Sequence, residues 1–161
     1  MLKRLMPDRR LSRQGIRRRW RLVGQPIVHG PLNRLQIGAH VGLGNVLANT
    51  YGGLITIGDY AFFGHDVLLL TGTHDFRETG PERQLPRRTL DRNIVIERGA
   101  WITSGVVLVG PCRIGANAVI GPGCIVDFDV PADTLVRLRQ EYVIDAISYR
   151  DPELQKPARD C

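Results

Sequence analysis

His74 ends an apolar run, LLLTGT at residues 68–73, and is followed by Asp75 and a long charged segment, DFRETGPERQLPRRTLDR. An imidazole titrates ordinarily near about pH 6.5, so around neutrality it can take a proton from a hydroxyl and return it later. A lone surface histidine more often bonds its own loop. His74, however, sits where an otherwise regular apolar rhythm breaks, and loops longer than about 15 residues inside a compact repeat are usually functional or disordered. The other histidines are His29, His40 and His65. Three imidazoles converging would suit zinc, but His65 and His74 are nine positions apart, which the repeat described next puts at different corners. Cys112, Cys124 and Cys161 lack metal-site spacing and are odd in number.

The elements that carry His74 follow from a six-residue period. Ile96, Ile102, Leu108, Ile114, Ile120 and Val126 recur without a slip. Ile57, Phe63 and Leu69 form a second run in its own phase, and Ile37 with Leu43 a third. Glycine often follows the anchor, at Gly38, Gly44, Gly58, Gly64, Gly115 and Gly121, where it would permit backbone that a Cβ obstructs. Four residues after each anchor lies something small or apolar: Val41, Ala61, Val67, Thr73, Ala100, Val106, Cys112, Ala118, Cys124 or Val130.

A period of six fits neither an α-helix nor a hairpin sheet. It fits a short strand and tight turn repeated so that three hexads close one triangular coil. Residues 18 apart then stack in parallel: Ile96 under Ile114, Ile102 under Ile120, Leu108 under Val126. The solenoid is expected over residues 31–131, with a loop extruded at 75–93. Residues 1–30 form an N-terminal arm, and 132–161 a C-terminal cap and tail, where DTLVRLRQEYVIDAISYR has helical apolar spacing. Cys112 and Cys124 fall on inward positions and are expected to be reduced, which suits a cytoplasmic chain.

Charge is unevenly placed. Nine of the 22 Lys/Arg and one of the 16 Asp/Glu lie in residues 1–21, so the other 140 residues hold 13 basic and 15 acidic side chains. The basic arm suits an anionic partner, such as the surface of a membrane, or a tail covering an open end of the domain. No apolar run approaches the roughly 18 residues that would span a bilayer, and no secretory h-region follows the early charges. Aromatic and basic residues do not alternate along the coils, so no nucleic-acid partner is expected.

ITIGDYAFFGHDVLLLTGTHDF, the loop, and IVIERGAWITSGVVLVGPCRIGANAVIGPGCIVDFDVP together resemble the hexapeptide-repeat acyltransferases. The resemblance is to the branch of galactoside, maltose, nodulation-factor and O-antigen O-acetyltransferases. It implies an all-β solenoid, specifically a left-handed parallel β-helix, and an acetyl-CoA-dependent O-acetyltransferase acting on a sugar hydroxyl in surface polysaccharide or lipopolysaccharide synthesis. His74 then matches the general base, and the hydroxyl attacks the thioester directly with no acyl-enzyme. Asn49, in LANT, matches an acceptor-contacting asparagine, although it also suits an ordinary turn. Asp75 is placed with the acceptor and is a candidate to set the imidazole tautomer. Trp101 and Ser104 match the family's WIGS segment, and Gly121 and Pro122 the stretch whose backbone amides receive the pantetheine arm. The lysine that meets the phosphates in the family is replaced here by Asp127-Phe128, which leaves Arg137 and Arg139 to supply positive charge. The resemblance also implies a homotrimer with sites between subunits, and outward apolar residues such as Phe62 need cover. A non-catalytic scaffold whose arm binds an anionic partner, and a zinc enzyme resembling γ-type carbonic anhydrase, are the competing readings.

Overall fold

The computed structural model describes residues 25–85 and 90–139. Its short strands form three parallel sheets, the walls of a triangular prism. Sheet A holds β1 (Ile27–His29), β3 (Leu47–Asn49), β6 (Leu68–Leu70), β9 (Val107–Val109) and β12 (Ile125–Val126). Sheet B holds β2 (Leu35–Ile37), β4 (Ile55–Ile57), β7 (Ile94–Ile96) and β10 (Cys112–Ile114). Sheet C holds β5 (Phe62–Phe63), β8 (Trp101–Ile102), β11 (Val119–Ile120) and β13 (Leu135–Val136). The chain visits B, then C, then A, and rises one coil.

The expected ladders are present: Ile114 pairs with Ile96, Ile120 with Ile102, and Val126 with Leu108. Strand geometry explains the hexad. Alternate residues of a strand share a face, and the residue four after one anchor is two before the next, so both point inward. Ala61, Ala100 and Ala118 stack on the sheet C side of the core, Val67, Val106 and Cys124 on the sheet A side, and all are buried. Sheet B carries larger partners at the same place, Ile55 and Ile94. Each fully buried Ile or Leu contributes about 1.5–3 kcal/mol relative to an exposed one.

The glycines after the anchors have a different role from the one expected. Of the six, Gly44 alone has positive φ. The others permit close stacking: a Cβ on Gly58 would lie 2.6 Å from the Arg98 nitrogen in the coil above. The left-handed corner positions are instead filled largely by other residues, among them His40, Tyr60, Asp66, Asn117 and Asp133.

Two expectations need correction at the C-terminal side. Residues 135–136 are strand, not helix, because Leu135 and Val136 complete sheet C against Val119 and Ile120. The strands also run beyond 31–131 at both ends, from Ile27 to Val136. The basic arm at 1–21 and the rest of the expected cap lie outside the described residues. The first coil leaves an apolar hollow of about 310 Å3 at the N-terminal end, lined by Ile27, Leu35, Ile37, Leu43 and their neighbours.

The phase of the second run has a structural cause. Leu69 pairs with Leu108, 39 positions on, because the extruded loop adds 21 residues to one turn. The loop leaves after sheet A, has a helical turn at Gly80–Arg83 among its described residues, and returns at Ile94. Thr73 therefore does not reach the inward place that the period gave it, which Ile94 takes after the loop; Thr71, two residues after Leu69, is buried instead.

Candidate active site

The corner where sheet A passes to sheet B gathers His29, Asn49, Tyr51, Leu70, Gly72, Thr73 and His74 around a cleft of about 450 Å3. His29, Asn49 and Leu70 are brought together by register: they are partners at the ends of β1, β3 and β6. Beneath them Thr50 and Thr71 are fully buried. A buried hydroxyl must find partners, and Thr71 Oγ1 donates to the Asn49 carbonyl at 2.7 Å and accepts from the Gly52 amide at 3.1 Å. The returning end of the loop is pinned to the same residue, with Arg92 Nε donating to the Thr71 carbonyl at 2.9 Å.

Asn49 is oriented by its neighbours. Its Oδ1 accepts the Tyr51 amide hydrogen at 3.1 Å, which leaves Nδ2 as the donor end. Gly72 makes room for that amide, since a Cβ there would stand 2.5 Å from Oδ1 and 2.8 Å from Nδ2.

His74 is exposed, and its Nδ1 lies 3.1 Å from the carbonyl oxygen of Leu85, across the loop. A carbonyl only accepts, so Nδ1 carries the hydrogen and the neutral ring keeps its lone pair on Nε2. The group that sets the tautomer is thus the loop backbone and not Asp75. Asp75 is turned to Arg77, whose amide and Nε both donate to Oδ1, at 3.0 and 2.8 Å, while Nη2 donates to Oδ2. Asp75 in turn holds the Arg77 guanidinium above its ordinary pKa by hydrogen bonding and by charge.

The expected cofactor residues lie elsewhere. Trp101 faces outward on sheet C, 43% exposed and stacked on Phe62 with centroids 5.3 Å apart. Ser104, Gly121, Pro122 and Arg137 follow on the corner from sheet C to sheet A. The Ser104 hydroxyl accepts the His65 amide hydrogen at 3.0 Å. Gly121 does not offer the free amide expected of it: its N–H goes to the Val136 carbonyl at 2.8 Å, and Pro122 has none. Arg137 sits in the next coil over Gly121, where a Cβ would meet the Arg137 Cα at an ordinary 3.6 Å and the Val136 carbonyl oxygen at a tight 2.9 Å.

The four histidines are spread over the prism. His29 and His74 share the cleft, His40 stacks on Tyr60 at the B-to-C corner, and His65 lies at the C-to-A corner. Sequence reasoning gave His29 no part beside His74 and passed over Tyr51. The 20-residue offset of the first coils, which aligns His29 with Asn49, is the signal that would have found His29.

Known proteins bear on this geometry. Residues 93–127 match the Bacterial transferase hexapeptide (six repeats) family. Over that stretch the chain carries the hexapeptide repeat of this family, and its likeness is to the hexapeptide-repeat acyltransferases. Its three parallel sheets are those of the left-handed β-helix of that family. The chain is 33% identical over 81 residues to a galactoside O-acetyltransferase of Lactococcus lactis, covering 48% of this chain and 36% of that one. It is 32% identical over 116 residues to serine acetyltransferase 2 of Arabidopsis thaliana, covering 72% and 33%. A hexapeptide-repeat acetyltransferase of Vibrio cholerae, solved with acetyl-coenzyme A, superposes with a TM-score of 0.53 at 26% identity, covering 79% of this chain and 73% of that one. The chain thus spans about a third of the length of the two sequence relatives. Among the described residues no helix is long and apolar enough to cross a membrane.

Proposed function

We propose that the protein is an acetyl-CoA-dependent O-acetyltransferase acting on a sugar hydroxyl, with His74 as general base. The observation that carries this reading is the Nδ1 contact to the Leu85 carbonyl, which leaves Nε2 as the basic nitrogen in a cleft that also holds the Asn49 amide. In this reading Asn49 Nδ2 donates to the acceptor oxygen. His74 Nε2 takes the hydroxyl proton as that oxygen attacks the thioester carbon. The same nitrogen returns the proton to the departing thiolate, so no covalent acyl-enzyme forms. The likeness to a galactoside O-acetyltransferase supports the sugar, and that to an acetyltransferase solved with acetyl-CoA supports the donor.

The donor would lie along sheet C and its following corner. The exposed Trp101–Phe62 stack offers an apolar wall to the pantetheine chain, and Arg137 a guanidinium to the phosphates. With the Gly121 amide engaged in the sheet and Pro122 lacking one, these two would contribute surface instead of amide donors. This donor corner and the His74 cleft are different corners of one prism. A homotrimer, in which the cleft of one copy meets the donor corner of the next, unites them.

Assay of thiol release from acetyl-CoA with glycosides, nucleotide sugars and L-serine as acceptors tests the reading. Transfer to a sugar, lost in His74→Ala, is expected. Near-normal transfer in His74→Ala would sink the mechanism, and transfer confined to serine would sink the sugar assignment.

A further inference from the structure

Tyr51 is nearly half exposed, yet it is held at several points. Its amide donates to Asn49 Oδ1 at 3.1 Å, its carbonyl accepts Arg34 Nη1 at 3.0 Å, and its ring meets the His29 ring at 5.1 Å and 82°. The cause is a local lengthening of the chain. Five residues separate Asn49 from Ile55 at this corner, whereas two separate Val109 from Cys112 at the same corner above. The added residues bring Tyr51 to the surface. Gly52, where a Cβ would run into the Thr71 carbonyl, keeps the corner pressed against the coil above. An immobilised aromatic ring on the wall of a cleft gives a ligand a large contact area at small entropic cost. His29, beside it, makes no side-chain hydrogen bond among the described residues and lines the same cleft. The residues that line this cleft include no carboxylate.

We propose that Tyr51 and His29 are positioning residues that select a ring-shaped acceptor. The Tyr51 ring packs on the apolar C–H face of a pyranose. A His29 ring nitrogen hydrogen-bonds a hydroxyl other than the one acetylated, while Asn49 and His74 engage the reacting one. A linear hydroxy amino acid has no such face to offer. This inference rests on the sugar O-acetyltransferase reading of the same cleft.

The test is steady-state kinetics of the full chain with acetyl-CoA, pyranosides and L-serine, for wild type, Tyr51→Ala, Tyr51→Phe and His29→Ala. Tyr51→Ala is expected to raise the pyranoside KM about fivefold to tenfold, in line with the loss of one aromatic contact. His29→Ala is expected to raise it by a few-fold, about the loss of one hydrogen bond. In both, kcat and the acetyl-CoA KM stay near wild type, and Tyr51→Phe restores the pyranoside KM. Unchanged pyranoside KM in both alanine variants, with an active wild type, overturns the inference and leaves the sugar reading standing. So does an equal rise in the acetyl-CoA KM, which marks Tyr51 as general support. A wild type that acetylates serine and no pyranoside overturns both.

Discussion

The two corners to which the proposal gives the acceptor and the donor are built differently. At the C-to-A corner Val119 and Ile125 pair with residues 18 positions before them, the last coil shortens the step to 16, and backbone hydrogen bonds join coil to coil: Gly121 to Val136, Gly123 to Ser104, Gly105 to His65. The result is a flat, repetitive surface on which Trp101 and Arg137 stand out as individual side chains. At the A-to-B corner the period is interrupted twice, by the added residues around Tyr51 and by the loop after His74. There the backbone is held by side chains, Thr71, Arg92, Arg34 and Asn49, and it encloses a cleft. A regular repeat presents the same face on every coil and so makes a long groove for a long ligand. A break in the repeat is needed to make a single, asymmetric site.

The comparison predicts that variants at the two corners separate by kinetic parameter. His74→Ala should lower kcat by about 10²–10⁴, the usual worth of a general base, with the acetyl-CoA KM within a few-fold. An equal fall at saturating acetyl-CoA in Trp101→Ala would erase the distinction between the corners. Asn49→Ala should cost about tenfold in kcat/KM for the acceptor, roughly one hydrogen bond. Trp101→Ala or Arg137→Ala should raise the acetyl-CoA KM by about fivefold and leave the acceptor KM alone. Mixing His74→Ala with a Trp101→Ala/Arg137→Ala double variant sharpens the test. If neighbouring copies share a site, about a quarter of the sites in randomly mixed trimers combine two intact halves, and activity at limiting acetyl-CoA should exceed the average of the separate variants.

A change common to both corners should act on stability alone. Ile102→Ala empties a fully buried position and should cost about 2–5 kcal/mol in denaturant unfolding, without a preference for either KM. Smallest is the effect of the Cys112 thiol, pushed up to about 11 by burial and by Asp129 and Asp127. Because its folded pKa is raised, its contribution to stability is complete below about pH 9 and is lost as pH rises toward 11. Native protein at pH 8 should resist alkylation at this site, while unfolded protein reacts; rapid native alkylation would contradict its burial.

Much of the prism was legible because the six-residue period is a direct record of which side chains face inward. Ile96, Ile102 and Leu108 were paired with their partners above by counting alone, and His74 was placed at a corner by the same count. Leu135 and Val136 were read as helix because their spacing serves either element, and the open edge of Val119–Ile120 decides for strand. The role of Gly121 was read amiss because the coil that consumes its amide hydrogen lies beyond the last clear hexad.

Sequence by itself determined the coil, its core and the point at which the loop departs, since each depends on periodic burial of apolar residues within a local stretch. Tertiary structure alone decided which ring nitrogen of His74 is basic, where the Asn49 amide points, and that His29 and Tyr51 join them. Those outcomes depend chiefly on contacts between residues far apart in sequence, such as Leu85 with His74, 11 positions away, and Thr71 with Asn49, 22 away, together with the local bond from the Tyr51 amide to Asn49. Their register is set by how irregular corners stack, and no local pattern encodes that.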